Sequence, residues 1–90
     1  MRQAPGADGA GPVLVVTGLA AEARLLAGAG AAVACAPPNF LPERIEAALG
    51  GRRPRLVVSF GLAGGLGPGL RAGTLAVPDC VLGPDGAVWR

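Results

Sequence analysis

The sequence predicts an α/β domain built on a mostly parallel or mixed sheet with flanking helices. Three observations carry that expectation. Apolar, β-branched runs at Val13-Leu14-Val15-Val16-Thr17 and Leu56-Val57-Val58 read as strands buried on both faces, the pattern of parallel sheets. Stretches of helical period separate the strands. Hydrophobic residues make up 51% of the chain but aromatic ones only 3%, so the core must be built from Val, Leu, Ile and Ala, as in layered α/β proteins. The 90 residues hold one small domain with a modest core.

Residues 1–12 are rich in Gly, Ala and Pro, lack periodicity and read as a disordered leader, leaving 13–90 for the folded part. After the first strand, Gly18 breaks the pattern and 19–27 reads as a short helix that stops at Gly28 and Gly30. Leu19, Ala23 and Leu26 recur at helical spacing and are expected to face the sheet, with Glu22 off that stripe in the first turn. The stretch 31–36 is a weaker strand, stopped by Pro37-Pro38. Asn39 is the expected N-cap of a second helix, and Pro42 suits its first turn. Leu41, Ile45, Ala48 and Leu49 share one face of that helix, and Gly50-Gly51 ends it. A third strand over 55–59 follows, then a glycine-rich loop, Ser59-Phe60-Gly61-Leu62-Ala63-Gly64-Gly65-Leu66-Gly67-Pro68-Gly69. Gly73-Thr74-Leu75-Ala76-Val77 is expected as a fourth strand, continued past Pro78 by Cys80-Val81-Leu82. Gly83-Pro84-Asp85-Gly86 reads as a turn, and Ala87-Val88-Trp89-Arg90 as the start of a further element. Strands alternating with helices imply parallel pairing through right-handed crossovers.

Charge and cysteine content exclude several classes. The net charge of +2 comes from arginine, with no lysine present. Arg52-Arg53-Pro54-Arg55 suits the C-terminal end of a helix, and without interleaved aromatic residues it does not make a nucleic-acid site. Cys35 and Cys80 belong to no C-x-x-C pair, and there is no histidine to complete a zinc site or a Ser-His pair. They read as buried reduced thiols of a cytoplasmic protein. No cofactor or metal is expected. No signal peptide and no apolar run long enough to span a bilayer is apparent. Asp79 and Asp85 sit in Pro/Gly turns and read as turn residues.

A strand that ends in a glycine cluster presents bare N–H groups at the carboxyl edge of a sheet, where open α/β sheets bind ligands. A loop that merely reverses the chain is the plain alternative. A P-loop requires a lysine and is excluded. A dinucleotide fingerprint fails because Gly65-Leu66-Gly67 is followed by Pro68-Gly69 and then by strand-like sequence rather than a helix. A G-x-S-x-G nucleophile elbow is absent.

What remains is a strand, Gly61-Leu62-Ala63-Gly64-Gly65-Leu66, a turn, and Leu70-Arg71-Ala72-Gly73-Thr74-Leu75-Ala76-Val77. These residues resemble the nucleoside phosphorylase and methylthioadenosine/adenosylhomocysteine nucleosidase superfamily, whose pattern reads approximately T-G-S-A-G-G-L followed by L-x-x-G-D-[IV]-V-[VI]. The likeness is nearest to the hopanoid-associated phosphorylase subfamily, whose first strand and loop Val13 to Ala23 also resemble. The resemblance covers Val13 to about Leu82 and implies that the chain is the N-terminal portion of a longer, homo-oligomeric protein. It implies cleavage of the N-glycosidic bond of a purine ribonucleoside, an adenosine with a hydrophobic terpenoid substituent included, by water or by inorganic phosphate.

Carried over residue by residue, Glu22 matches the carboxylate that activates the attacking water in the nucleosidases. Ala63 and Gly64, with Gly61 and Leu62 beside them, match the loop that borders base and ribose. Leu62 stands where many members have serine, and Ser59 where certain bacterial phosphorylases have a phosphate-binding arginine. Both departures count against phosphorolysis. The acid that protonates the leaving purine has no counterpart here, so these residues alone are expected to be inactive. Glycosidic cleavage needs a base for the nucleophile and an acid for the leaving group. Glu22 after the first strand and the loop after the third belong at one sheet edge and can share a crevice there. The rival expectation is a non-catalytic α/β module that binds a partner through an exposed sheet edge.

Overall fold

The computed structural model describes residues 10–90. Of the expected leader, 1–9 lie outside the described residues. Strands β1 (Val13–Thr17), β2 (Ala32–Cys35) and β3 (Leu56–Ser59) form one parallel sheet in the order β2-β1-β3. The register pairs Val15 with Val33 on one side and with Val58 on the other. Pro12 enters β1 without an N–H to spend, and its carbonyl accepts the Arg55 N–H at 3.0 Å, extending the ladder by one rung. At the opposite end Ala36 and Phe60 donate to the carbonyls of Thr17 and Val16. The chain therefore leaves β1, β2 and β3 along a shared carboxyl edge.

Helices α1 (Ala20–Leu25) and α2 (Leu41–Leu49) form the two crossovers. From β1 the chain steps to β2 on one side, and from β2 it returns past β1 to β3 on the other. That reversal puts a topological switch point between β1 and β3. Neighbouring residues on a strand point to opposite faces. Thr17 reaches Glu22 on α1, and Val16 and Thr17 both line a cleft with Leu41 of α2. Right-handed crossovers in this strand order put the two helices on opposite faces. Leu14 and Val15, adjacent on the central strand, are both buried, and with Ala34 and Ala36 they form the core.

The helices depart from expectation at their starts. Asn39 does not cap α2. It lies in a 3₁₀ turn, Pro38–Phe40, which leads directly into the helix with Phe40 at the cap position. Pro37-Pro38 pre-sets the backbone for that tight turn, so the chain winds before the cap residue is reached. The stripe Leu41, Ile45, Ala48 and Leu49 is half-buried as expected, and the helix ends on Gly50 at φ 58°, a left-handed conformation that suits glycine. Arg52 closes that end by donating from Nε to the Leu49 carbonyl at 2.8 Å.

Helix α1 is shorter than 19–27, and of its expected stripe Ala23 is half-buried. Leu19 is 60% exposed and Leu26 half-buried, while Glu22 is buried at 5%. A carboxylate facing inward overrides the apolar pattern because three donors wait for it there.

The second half differs more. The expected strand over Gly73-Thr74-Leu75-Ala76-Val77 is irregular and exposed. Cys80 also precedes, rather than joins, β4 (Val81–Leu82). That short strand pairs antiparallel with β5 (Val88–Trp89), forming a separate two-stranded hairpin rather than a fourth strand of the parallel sheet. Trp89, in the stretch expected to start a further element, lies opposite Val81 in that ladder. Its indole sits on Gly83, where an added Cβ would stand 2.8 Å from Cζ3. The Gly83-Pro84-Asp85-Gly86 turn holds, with Asp85 Oδ1 accepting the Ala87 N–H at 3.0 Å. Cys35 and Cys80 are free thiols but half-buried rather than buried. No helix of the described residues is long and apolar enough to cross a membrane.

Stability should follow this division. Leu14→Ala is expected to lower the unfolding free energy by about 2–5 kcal/mol, as for a leucine removed from a packed core. Leu66→Ala, at a side chain 99% exposed, should change it by less than about 0.5 kcal/mol. Urea titration of both variants measures the contrast.

Candidate functional site at the switch point

The carboxyl edge of the sheet brings Glu22 and the glycine loop together. Glu22 lies in the first turn of α1, directly after β1, and Leu62 lies directly after β3. The Leu62 N–H donates to Glu22 Oε2 at 2.8 Å, linking residues 40 positions apart across the switch point. The other oxygen, Oε1, accepts the Thr17 hydroxyl at 2.7 Å and the Leu19 N–H at 3.1 Å. Leu19 opens α1 with no side-chain acceptor of its own. Glu22, three residues on, satisfies the free N–H of Leu19 as in one half of a capping box.

Gly61 allows this approach. A Cβ built there would lie 2.9 Å from Glu22 Oε2, nearer than a side chain tolerates. Glycine is required at this position to let the backbone pass over the carboxylate. Among the described residues no buried side-chain nitrogen or oxygen lacks a hydrogen-bond partner, so Thr17 and Glu22 are buried at tolerable cost.

All three partners of Glu22 are neutral. The Thr17 hydroxyl first, and the Leu62 N–H next, hold its carboxyl below the ordinary carboxylate range, against a smaller upward push from burial. The group is therefore ionised at neutral pH, with both oxygens committed to the protein.

The remaining candidates fall differently. Leu62 contributes its backbone, and its side chain is 68% exposed. Ala63 and Gly64 are exposed, and Gly64 has open space where a side chain would project. Two clefts flank the end of β3. One, of about 210 Å³, is lined by Val16, Thr17, Gly18, Leu41, Ser59 and Phe60 among others. The other, of about 560 Å³, runs between β3 and the hairpin, with Val58, Ser59, Val77, Asp79 and Trp89 in its walls. Ser59 borders both, whereas neither Glu22 nor residues 61–64 line either one. No group of acidic, histidine or cysteine residues suited to a metal occurs among the described residues.

Sequence reasoning missed Thr17 as a partner of the carboxylate, and it named Gly61 as a loop candidate without foreseeing its approach to Glu22. The signal for Thr17 was present: it is the single polar residue ending an apolar strand, five positions before the glutamate. Gly61 was one glycine among many, and its contact joins residues far apart in the chain.

Comparison of the chain with protein-family models, with curated proteins and with solved structures returned no match.

The lowered value of Glu22 has a definite sign in stability. The group's folded pKa lies below its unfolded one, so its contribution is complete above the ordinary carboxylate range and disappears as pH falls through the depressed value. Urea midpoints measured from neutral pH into acid should decline in the native chain and decline less in Glu22→Gln. Thr17→Val should move the Glu22 titration, followed by carboxyl NMR, upward, and Thr17→Ser should restore it.

Proposed function

We propose that this chain is the N-terminal part of a nucleoside phosphorylase- or nucleosidase-like enzyme that cleaves the N-glycosidic bond of a purine ribonucleoside. The observation that carries this reading is the meeting of Glu22 with the Gly61–Leu62 backbone across the switch point. Those are the residues that the family resemblance assigns to nucleophile activation and to the ribose side of the loop. Open α/β sheets bind ligands at this position.

In the hydrolytic form, Glu22 takes a proton from water as the water oxygen attacks the anomeric carbon. The carbon–nitrogen bond breaks, its electron pair passes to the purine, and an acid supplies the proton that the purine needs. The products are the free base and the sugar. Glu22 supplies the basic half. Asp85 is occupied in its turn and Asp79 lies in the wider cleft, so neither stands beside Glu22 as that acid. The leaving-group acid belongs to sequence beyond these residues.

Hydrolysis is preferred over phosphorolysis. Leu62 offers no hydroxyl, Ser59 brings no positive charge, and Glu22 places a negative charge where a phosphate would have to approach. The substrate we assign is an adenosine carrying a hydrophobic terpenoid at its sugar, as in hopanoid biosynthesis. The working form is a cytoplasmic homo-oligomer of the longer chain.

A second reading rests on a separate observation. Leu66, Leu75 and Val77 are all more than 80% exposed, and β3 forms a sheet edge among the described residues. A non-catalytic module that pairs with a partner through that edge would use them.

Adenine release from adenosine, followed by chromatography, separates the two readings. The 90-residue chain should release little or none. In a longer form carrying the leaving-group acid, Glu22→Gln should lower turnover on the order of 10²-fold or more while ligand affinity is kept. No adenine release by that longer form would favour the interaction module, and turnover unaffected by the substitution would overturn the role assigned to Glu22.

A further inference from the structure

The two oxygens of Glu22 are held unequally. Oε1 is bonded within the β1–α1 corner, to Thr17 and Leu19, five and three residues away. Oε2 has one partner, the Leu62 N–H, at the root of a loop that belongs to no helix or strand. Beyond Leu62 the loop packs on itself. A Cβ at Gly65 would stand 2.7 Å from the Leu70 Cβ, one at Gly67 would stand 3.4 Å from Leu70 Cδ1, and the Leu70 N–H donates to the Gly67 carbonyl at 3.2 Å. Every residue from 61 to 70 is exposed. The loop is thus a small unit of its own, joined to the sheet at Phe60, whose N–H donates to Val16 at 2.9 Å.

We propose that residues 61–70 form a lid over Glu22 and that the Leu62 N–H bond to Oε2 is its latch. With the latch closed, Glu22 is 5% exposed and the Gly61 backbone passes so near Oε2 that a Cβ there would stand 2.9 Å from it, which crowds the approach of a ligand hydroxyl or a water to that oxygen. Opening turns Gly61 and Leu62 away as a unit with the self-packed loop. It uncovers Oε2 while Thr17 and Leu19 keep Oε1, and with it the carboxylate's orientation, in place. One oxygen is the anchor and the other is the working atom. Losing the Leu62 donor also lifts the carboxyl toward its ordinary range, so the same motion makes it a stronger base. Segments that move for function are drawn from those with few buried contacts, and this loop meets that description. The inference rests on Glu22 being the working carboxylate of the proposed reaction.

Two variants open the latch while leaving residue 22 itself unchanged. Gly61→Ala drives a methyl against Oε2, and Leu62→Pro deletes the donor at an exposed side chain. In the native chain the Leu62 amide should exchange with solvent at least about tenfold more slowly than the Ala63 and Gly64 amides, by nitrogen-15 NMR. Gly61→Ala should erase that protection while the β1 amides stay protected, which shows that the fold persists. Carbodiimide coupling of glycine ethyl ester, read by mass spectrometry, should modify Glu22 more slowly than Glu43 and Glu46 in the native chain. It should modify Glu22 several-fold faster in both variants. Equal exchange of Leu62 and its neighbours in the native chain would overturn the latch. Glu22 coupling unchanged by either variant would overturn the lid. Neither readout uses turnover, so absence of nucleoside cleavage by the longer form, with both signatures present, would refute the proposed reaction and leave the lid standing.

Discussion

A single carboxylate holding three neutral donors ties the two halves of this molecule together. Thr17 and Leu19 bring Glu22 into the end of β1, and Leu62 brings the start of the glycine loop to Glu22. A charged group is costly to bury unless its lone pairs are satisfied, and here the satisfaction is supplied from both sides of the switch point. Without the Leu62 bond, Glu22 would no longer join the two sides. The loop would then lose its attachment beyond Phe60.

This arrangement places demands on the backbone that only particular residues meet. Gly61 must lack a side chain because the carboxylate fills the space a Cβ would take. Thr17 must carry a hydroxyl at a position that is otherwise part of an apolar strand. The parallel sheet beneath is small, with Leu14, Val15, Ala34 and Ala36 as its buried apolar residues. Its contribution to function is positional. It delivers three chain segments to one edge, and the reversal of strand order leaves a gap there between β1 and β3.

The chemistry open to such a site is limited by the same bonds. A carboxylate stabilised by hydrogen bonds is firmly ionised and only weakly basic. In the proposed reaction it is an electrostatic anchor while covered, and a base once one donor leaves. Fixing one oxygen and freeing the other reconciles the two roles. The exposed apolar residues beyond Leu62 give the second half of the chain a different character. They have little core of their own, and the hairpin of β4 and β5 is held by Trp89 on Gly83 rather than by the sheet.

Local sequence determined the elements whose causes are local. The β-branched runs made β1 and β3, the stripe from Leu41 to Leu49 made α2, Gly50 ended it, and Gly83-Pro84-Asp85-Gly86 made its turn. The approach of Glu22 to the loop was legible as topology, because segments that follow parallel strands emerge at one edge. Tertiary structure alone decided the rest. Leu75 and Val77 have strand-like sequence, yet β pairing also requires that the chain run alongside a partner edge, and the fold does not bring them into a ladder with the open edges of β2 or β3. The burial of Glu22 was invisible for a related reason. Periodicity weighs each residue by its own hydrophobicity, whereas the energy of Glu22 depends on donors at Thr17 and Leu62 that the folded chain alone brings within reach.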